Sequence, residues 1–262
     1  MNNNMRYSVT QGFLESISLP EQSNTYKPVS HSKLIDLTLN GISKAGFVLD
    51  TQEYASGADG AIANGKYTIK NVADGEMQLQ VGWQNSYDKS LSLKFAIGTS
   101  IFICTNGCVA GDFGSFKRKH TGDVQTIAPS TISEYIMQAG DAFITMQQQR
   151  EMMKNIEITK RTAAELIGRL FLEESFITST QLNIISREME RPTFDYNASG
   201  SLWELYNHVT HSLKNSHPAN WMSAHINAHK FFADNSGGIT SPKRNFTANI
   251  EVASPFTQLE IF

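Results

Sequence analysis

The chain shifts its apolar period from one stretch to the next. Residues 1–30 are polar and irregular, with apolar patches only at Phe13-Leu14 and Ile17 to Leu19. They read as an N-terminal arm that packs on the body or on a neighbouring subunit. From Ser32 to Ala45 the positions Leu34, Ile35, Leu37, Leu39 and Ile42 follow a mostly helical spacing. Ser32 can cap this helix and Gly46 fits its C-terminal end. From Phe47 to about His120 the period falls to two. Tyr67 and Ile69, then Met77, Leu79 and Val81, then Leu91, Leu93, Phe95 and Ile97 alternate with other residues. Turn chemistry lies at Gly57–Gly65, Ala73-Asp74-Gly75, Ser86–Lys89 and Asn106-Gly107. The pattern predicts an antiparallel meander of roughly four to six strands, with the run Ile101 to Cys104 buried on both faces.

After Pro129 the helical period returns. Ser130 or Thr131 caps a long predicted helix from about Ile132 to Ile156, with the stripe Ile132, Ile136, Ala139, Phe143 and Met146. That stripe is expected to cover one sheet face. Further helices are predicted from Thr159 or Thr162, from Thr178 to Met189, over Leu202–Leu213 and over Ala219–Ala233. Phe246–Val252 and Thr257–Ile261 read as terminal strands or extended packing segments. The fold class is α+β: an antiparallel β-meander flanked by an N-terminal helix and a long helix, followed by a C-terminal helical region. The organisation is an arm over 1–30, a core over 31–158, a helical region over 159–234 and an extended tail over 235–262.

Composition narrows the class. Hydrophobic residues at 40% and charged residues at 18% fit a globular core rather than a disordered chain. A net charge of −3 rules out global attraction to nucleic acid or anionic lipid, so any such binding needs a local basic patch. No apolar run reaches the roughly 20 residues of a membrane helix. The start, MNNNMRYSVTQGF, has no apolar core of a secretory signal. The expectation is a cytoplasmic protein that uses no cofactor. Cys104 and Cys108 would lie about 13 Å apart along one strand, too far for a disulfide without a sharp turn at Asn106-Gly107.

Three polar groups carry candidate chemistry. Asn85, Ser86, Tyr87, Asp88, Lys89 and Ser90 sit between two strands, either as a hydrogen-bonded turn or as a ligand loop with Asp88 as acid/base or metal ligand. Phe116, Lys117, Arg118, Lys119 and His120 form a basic strand, either a lysine-protected edge or a phosphate track. If extended, Lys117 and Lys119 point one way, and Arg118 and His120 the other. Five of the seven histidines fall between His208 and His229. His208 with His211, and His225 with His229, share helix faces, and Glu204 could join them on a metal. Satisfied interior histidines are the plainer explanation, and no metal site is assigned. No P-loop, GxGxxG, GxSxG or CxxC pattern occurs.

The stretch Asn85–Val124, with its polar loop, Cys104-x-Asn106-Gly107, Gly111 and His120-Thr121-Gly122, resembles the phage- and plasmid-encoded family catalogued as domain of unknown function 932. Tyr87 stands where that family has His, and Lys89 where it has Gly. A role resting on the family's histidine is therefore not carried over. The segments YKPVSHS (26–32) and SLWELYNHVTHSLK (201–214) also resemble it. The resemblance implies encoding on phages or plasmids and no established reaction.

Two readings of function follow. In the first, the chain binds single-stranded DNA in mobile-element DNA metabolism, as a homo-oligomer. The order helix, meander, long helix is similar to that of single-strand annealing proteins, an analogy of fold only. Lys117, Arg118 and Lys119 would track phosphates with His120 beside them. Tyr87, Phe113 and Phe116 would stack bases, and Lys154, Lys160 and Arg161 offer an alternative path. In the second, the chain is an enzyme or small-ligand protein with a polar site at Asn85, Asp88, Asn106 and His120. A host-interaction or counter-defence role, acting by binding another protein, is the remaining alternative.

Overall fold

The computed structural model describes residues 7–101, 107–109, 115–216 and 220–236. The period change at Phe47 marks the passage from helix to sheet. The helix before it, α2 (His31–Lys44), buries Leu34, Ile35, Thr38, Gly41 and Ile42. Ser30, not the expected Ser32, caps it by accepting from Lys33 N. Gly46 at φ 72° ends it, and Phe47 N bonds back to Ile42 O, the left-handed C-terminal arrangement that glycine permits.

The alternating stretch forms β2 (Leu49–Gly57), β3 (Ile62–Ala73), β4 (Met77–Ser86) and β5 (Leu93–Ile101), joined as consecutive antiparallel hairpins. On the far side of β5 run β6 (Gly107–Val109), opposite Gly98–Ser100, and β7 (Ser115–Arg118), opposite Leu93–Ala96. The expected arm contributes β1 (Tyr7–Val9), which pairs with β2, and α1 (Gln11–Ser16). Among the described residues the result is a seven-stranded antiparallel sheet. Both faces of β5 are buried; of the expected run Ile101 to Cys104 only Ile101 is among the described residues, and it is buried. Residues 102–106 lie outside the described residues, as do both expected terminal strands.

One sheet face carries Met77, Leu79, Val81 and Trp83 of β4 and Leu93, Phe95 and Ile97 of β5, all at most 1% exposed. Helices cover it. The expected long helix is two: α3 (Val124–Met137) and α4 (Ala139–Lys154), meeting at Gln138. Proline disfavours helix at the residue before it, yet Pro129 lies inside α3. The reason is the stripe: Val124, Ala128, Ile132 and Ile136 repeat every four residues, and all are buried across the proline. Ile136, Ala139, Phe143 and Met146 join the same core cluster as the sheet. Gly41 of α2 lies so near Ile136 that a Cβ there would stand 2.6 Å from its Cδ1. Gly65 allows a second close approach, because a Cβ would meet the Trp83 indole at 2.6 Å.

The second half is helical: α5 (Lys160–Leu172), α6 (Ser179–Glu190), α7 (Leu202–Leu213) and α8 (Trp221–Asn235). Thr159, Thr178 and Ser201 cap the first three, and Thr178 forms a reciprocal box with Gln181. The last helix, α8, touches two layers. Met222 packs on Ala96, on the polar side of the sheet, while His229 reaches Gln149 of α4. Among the described residues no helix is long and apolar enough to cross a membrane.

Candidate functional site

In a meander, successive loops alternate between the two ends of the sheet. The β4–β5 loop carries Tyr87, Asp88 and Ser90, whereas Gly107 follows β5 and pairs with Ser100. Gln84 pairs with Lys94 at the other end of β5. Six residues of strand, about 20 Å, separate Lys94 from Ser100. A site uniting Asn85 and Asp88 with Gly107, as the adjacency of the motifs suggests, is therefore not formed. Asn106, Gly111 and Phe113 lie outside the described residues.

The Asn85 end gathers a different set. Asn85 Nδ2 donates to Val29 O at 2.7 Å and contacts His31 Nδ1 at 3.1 Å. His31 Nε2 lies 3.0 Å from Gly60 O. A carbonyl only accepts, so Nε2 carries the proton and Nδ1 accepts from Asn85. Tyr87 stacks on the imidazole with ring centres 3.9 Å apart, and its hydroxyl accepts from His31 N. Tyr26 donates its hydroxyl to Tyr87 O. Burial holds His31 neutral, with its pKa lowered to about 4, and pushes the Tyr26 and Tyr87 hydroxyls up. Tyr87 thus has its ring covered and does not present the free face that base stacking needs.

His120, directly after β7, comes to the same end. Its carbonyl accepts from Lys27 N, and its ring lies 6.0 Å from that of Tyr26. It is 5% exposed, and burial lowers its pKa. Among the described residues neither ring nitrogen has a hydrogen-bond partner, and the same is true of Asn85 Oδ1.

The remaining loop residues build the turn. Ser86 Oγ bonds both the N–H and the carbonyl of Leu91. Asp88 accepts from the N–H and hydroxyl of Ser90. Lys89 takes φ 64°, a conformation that suits the glycine of the resembled loop, and its ammonium lies 4.7 Å from the Tyr26 ring centre.

On β7, Lys117 and Arg118 are exposed, as is Lys119 beyond it. No carboxylate among the described residues forms an ion pair with these three. Phe116 packs against the core, so it is not free to stack bases. Lys117 stands directly opposite Lys94. Lys94 is nearly buried and donates to Ser223 Oγ; burial, then Lys117, lowers its pKa. The alternative track is divided: Lys154 pairs with Glu76 at 2.6 Å and Arg161 with Glu165 at 3.1 Å, while Lys160 is exposed.

The histidines of the helical region part into separate settings. His229 bonds Gln149 Oε1 and Tyr206 Oη. His208 and His211 lie 4.0 and 3.8 Å from Glu188, whose carboxylate accepts from Thr193 N and Oγ1. Glu204 instead accepts from Gly200 N at the start of α7. Among the described residues no three His, Cys, Asp or Glu side chains form a group able to hold a metal ion.

Sequence reasoning passed over His31 and Tyr26 as site residues. The available signal was their place in YKPVSHS, one of the segments carrying the family resemblance. Three such segments, around Tyr26–His31, Asn85–Ser90 and His120, converge at one end of the sheet. No curated protein and no solved structure matches the chain. The family model described as Domain of unknown function (DUF932) matches residues 19–244, and the chain belongs to that family.

Proposed function

We propose that this protein binds single-stranded DNA through the rim of its sheet at β7, in the DNA metabolism of a phage or plasmid inside the bacterial cell. The observation that supports this is the exposed run Lys117, Arg118 and Lys119, the first two on a strand that pairs on one side only among the described residues and the third just beyond it. Lys94 lies directly opposite Lys117 across the β5–β7 pair. Like charges directly opposed across strands repel, and a nucleic-acid phosphate would relieve that repulsion. With Tyr87 and Phe116 turned inward, the reading rests on phosphate contacts, which carry no base information.

Fluorescence anisotropy with labelled oligonucleotides at several salt concentrations tests this. Replacing Lys117, Arg118 and Lys119 by Ala should make log affinity less steep in log salt by about 0.7 per lost contact. The loss should be similar for all base sequences. Absence of binding by the wild type at low salt would sink the reading. An unchanged salt slope in the triple variant would move the DNA site away from β7.

A further inference from the structure

The basic strand and α8 meet on one face of the sheet. Lys94 and Lys117 are directly opposed across the β5–β7 pair, and residues so opposed project from the same face. Ala96, two positions along β5, belongs to that face by strand alternation, and Met222 of α8 packs on it. Lys94 Nζ lies 2.8 Å from Ser223 Oγ. These two contacts fix the first turn of α8 beside the lysines, although 129 residues separate Lys94 from Ser223 in the chain. Trp221, the first residue of the helix, packs on the Ala96–Met222 cluster and stays partly exposed. Its ring is tilted against that of His225, with centres 5.2 Å apart. Ser223 is also partly exposed; its oxygen accepts from Lys94, and its hydroxyl can still donate. Among the described residues the charge here is of one sign: the two lysines adjoin, and the first turn of α8 has no acidic residue. Cations along a backbone, beside an aromatic ring that receives a base, are what a single strand of nucleic acid requires. Tyr87 and Phe116 are turned inward, and Trp221 supplies a partly exposed aromatic next to the lysines.

We infer that the single-stranded DNA bound at β7 continues across Lys94 onto the first turn of α8, where Ser223 donates to a phosphate and Trp221 stacks on a base. This rests on the DNA reading of β7 and adds a base contact to it. Stacking tolerates any sequence, because every base has a π-face. Affinity therefore stays similar among base sequences but depends on bases being present. The Trp221 contact is uncharged and releases no counterion, so the salt dependence belongs to the basic side chains.

The test is the intrinsic tryptophan emission of the full chain. The other two tryptophans, Trp83 and Trp203, are at most 4% exposed, so quenching by an added strand reports on Trp221. The expected result is a saturable quench by a single-stranded oligonucleotide, with the same midpoint as the anisotropy of the labelled strand. Trp221→Phe should keep most of the affinity and lose the quench. Trp221→Ala should weaken binding about tenfold, the effect of one stacked base, with the salt slope unchanged. A second arm needs no variant: the wild type is given an abasic strand of the same length, which should bind about tenfold more weakly than the base-bearing one. Binding by anisotropy without a quench, wild-type affinity in Trp221→Ala, or equal affinity for the abasic strand overturns the inference and leaves the β7 site standing. Absence of any binding at low salt removes the β7 reading and this inference with it.

Discussion

His229 in the helical region and His120 at the sheet end are both 5% exposed, yet they are treated in opposite ways. His229 has Gln149 on one nitrogen and the Tyr206 hydroxyl on the other. His31, at the same end of the sheet as His120, is satisfied just as fully by Gly60 and Asn85. Of the three, His120 leaves both nitrogens without a partner among the described residues. Burial makes an imidazole neutral in every case, so charge does not distinguish them; hydrogen-bond completion does. A saturated interior histidine anchors its neighbours, whereas His120 is packed without completing its hydrogen bonds.

The largest effect that would sharpen this contrast is acid lability. His31 and His229 have pKa values lowered to about 4 from the usual 6.5. The unfolded chain therefore binds more protons between these limits, and stability falls as pH drops from about 6.5 toward 4. Each residue contributes a loss on the order of 3 kcal/mol across that window. Urea titrations at pH 7 and pH 4.5 should show the drop; a flat profile would remove the assignment of both as neutral interior groups.

Next in size is His229→Leu. It strands Gln149 Oε1 in the interior and should cost about 2–4 kcal/mol in thermal or denaturant unfolding. The matching change at the other site, His120→Leu, removes no internal hydrogen bond. Its stability should stay within about 1 kcal/mol of wild type, with a stabilising sign allowed. If the two substitutions cost the same, the contrast between the sites collapses. The smallest expected effect is at Lys89, held at φ 64°. Lys89→Gly should stabilise by about 0.5 kcal/mol, the relief of the left-handed backbone being partly offset by the lost contact with Tyr26. A destabilisation of 1 kcal/mol or more would show that the ammonium over Tyr26 outweighs the backbone strain.

Much of the fold is legible in the sequence because its periods are long and its caps explicit. Leu202–Leu213 is found where the spacing places it, and Thr178 caps α6 as its side-chain chemistry suggests. The misplacements have local causes. Ser30 and Ser32 are chemically equivalent caps, and only the contact with Lys33 N separates them. Pro129 reads as lying before the long helix, with Ser130 or Thr131 as its cap, but four buried residues at helical spacing carry the helix across the proline. The candidate site is less legible. Adjacency along the chain links Asn85 with Gly107, while hairpin topology sends them to opposite ends of the sheet. The partners that do meet Asn85, His31 and Val29, are 54 and 56 residues away in the chain. No local pattern encodes a contact of that range.

The two-layered seat of α8 has a consequence for the order in which the protein is made. Synthesis proceeds from the N-terminus at roughly 5–20 residues per second. Gln149 emerges 80 residues before its partner His229, and Lys94 emerges 129 residues before Ser223. For several seconds the nascent meander and α4 are complete in sequence but lack the element that closes both. The polar side of β5 and the Gln149 amide are open to other partners during that interval. Their final pairing is set only when one of the last described segments leaves the ribosome.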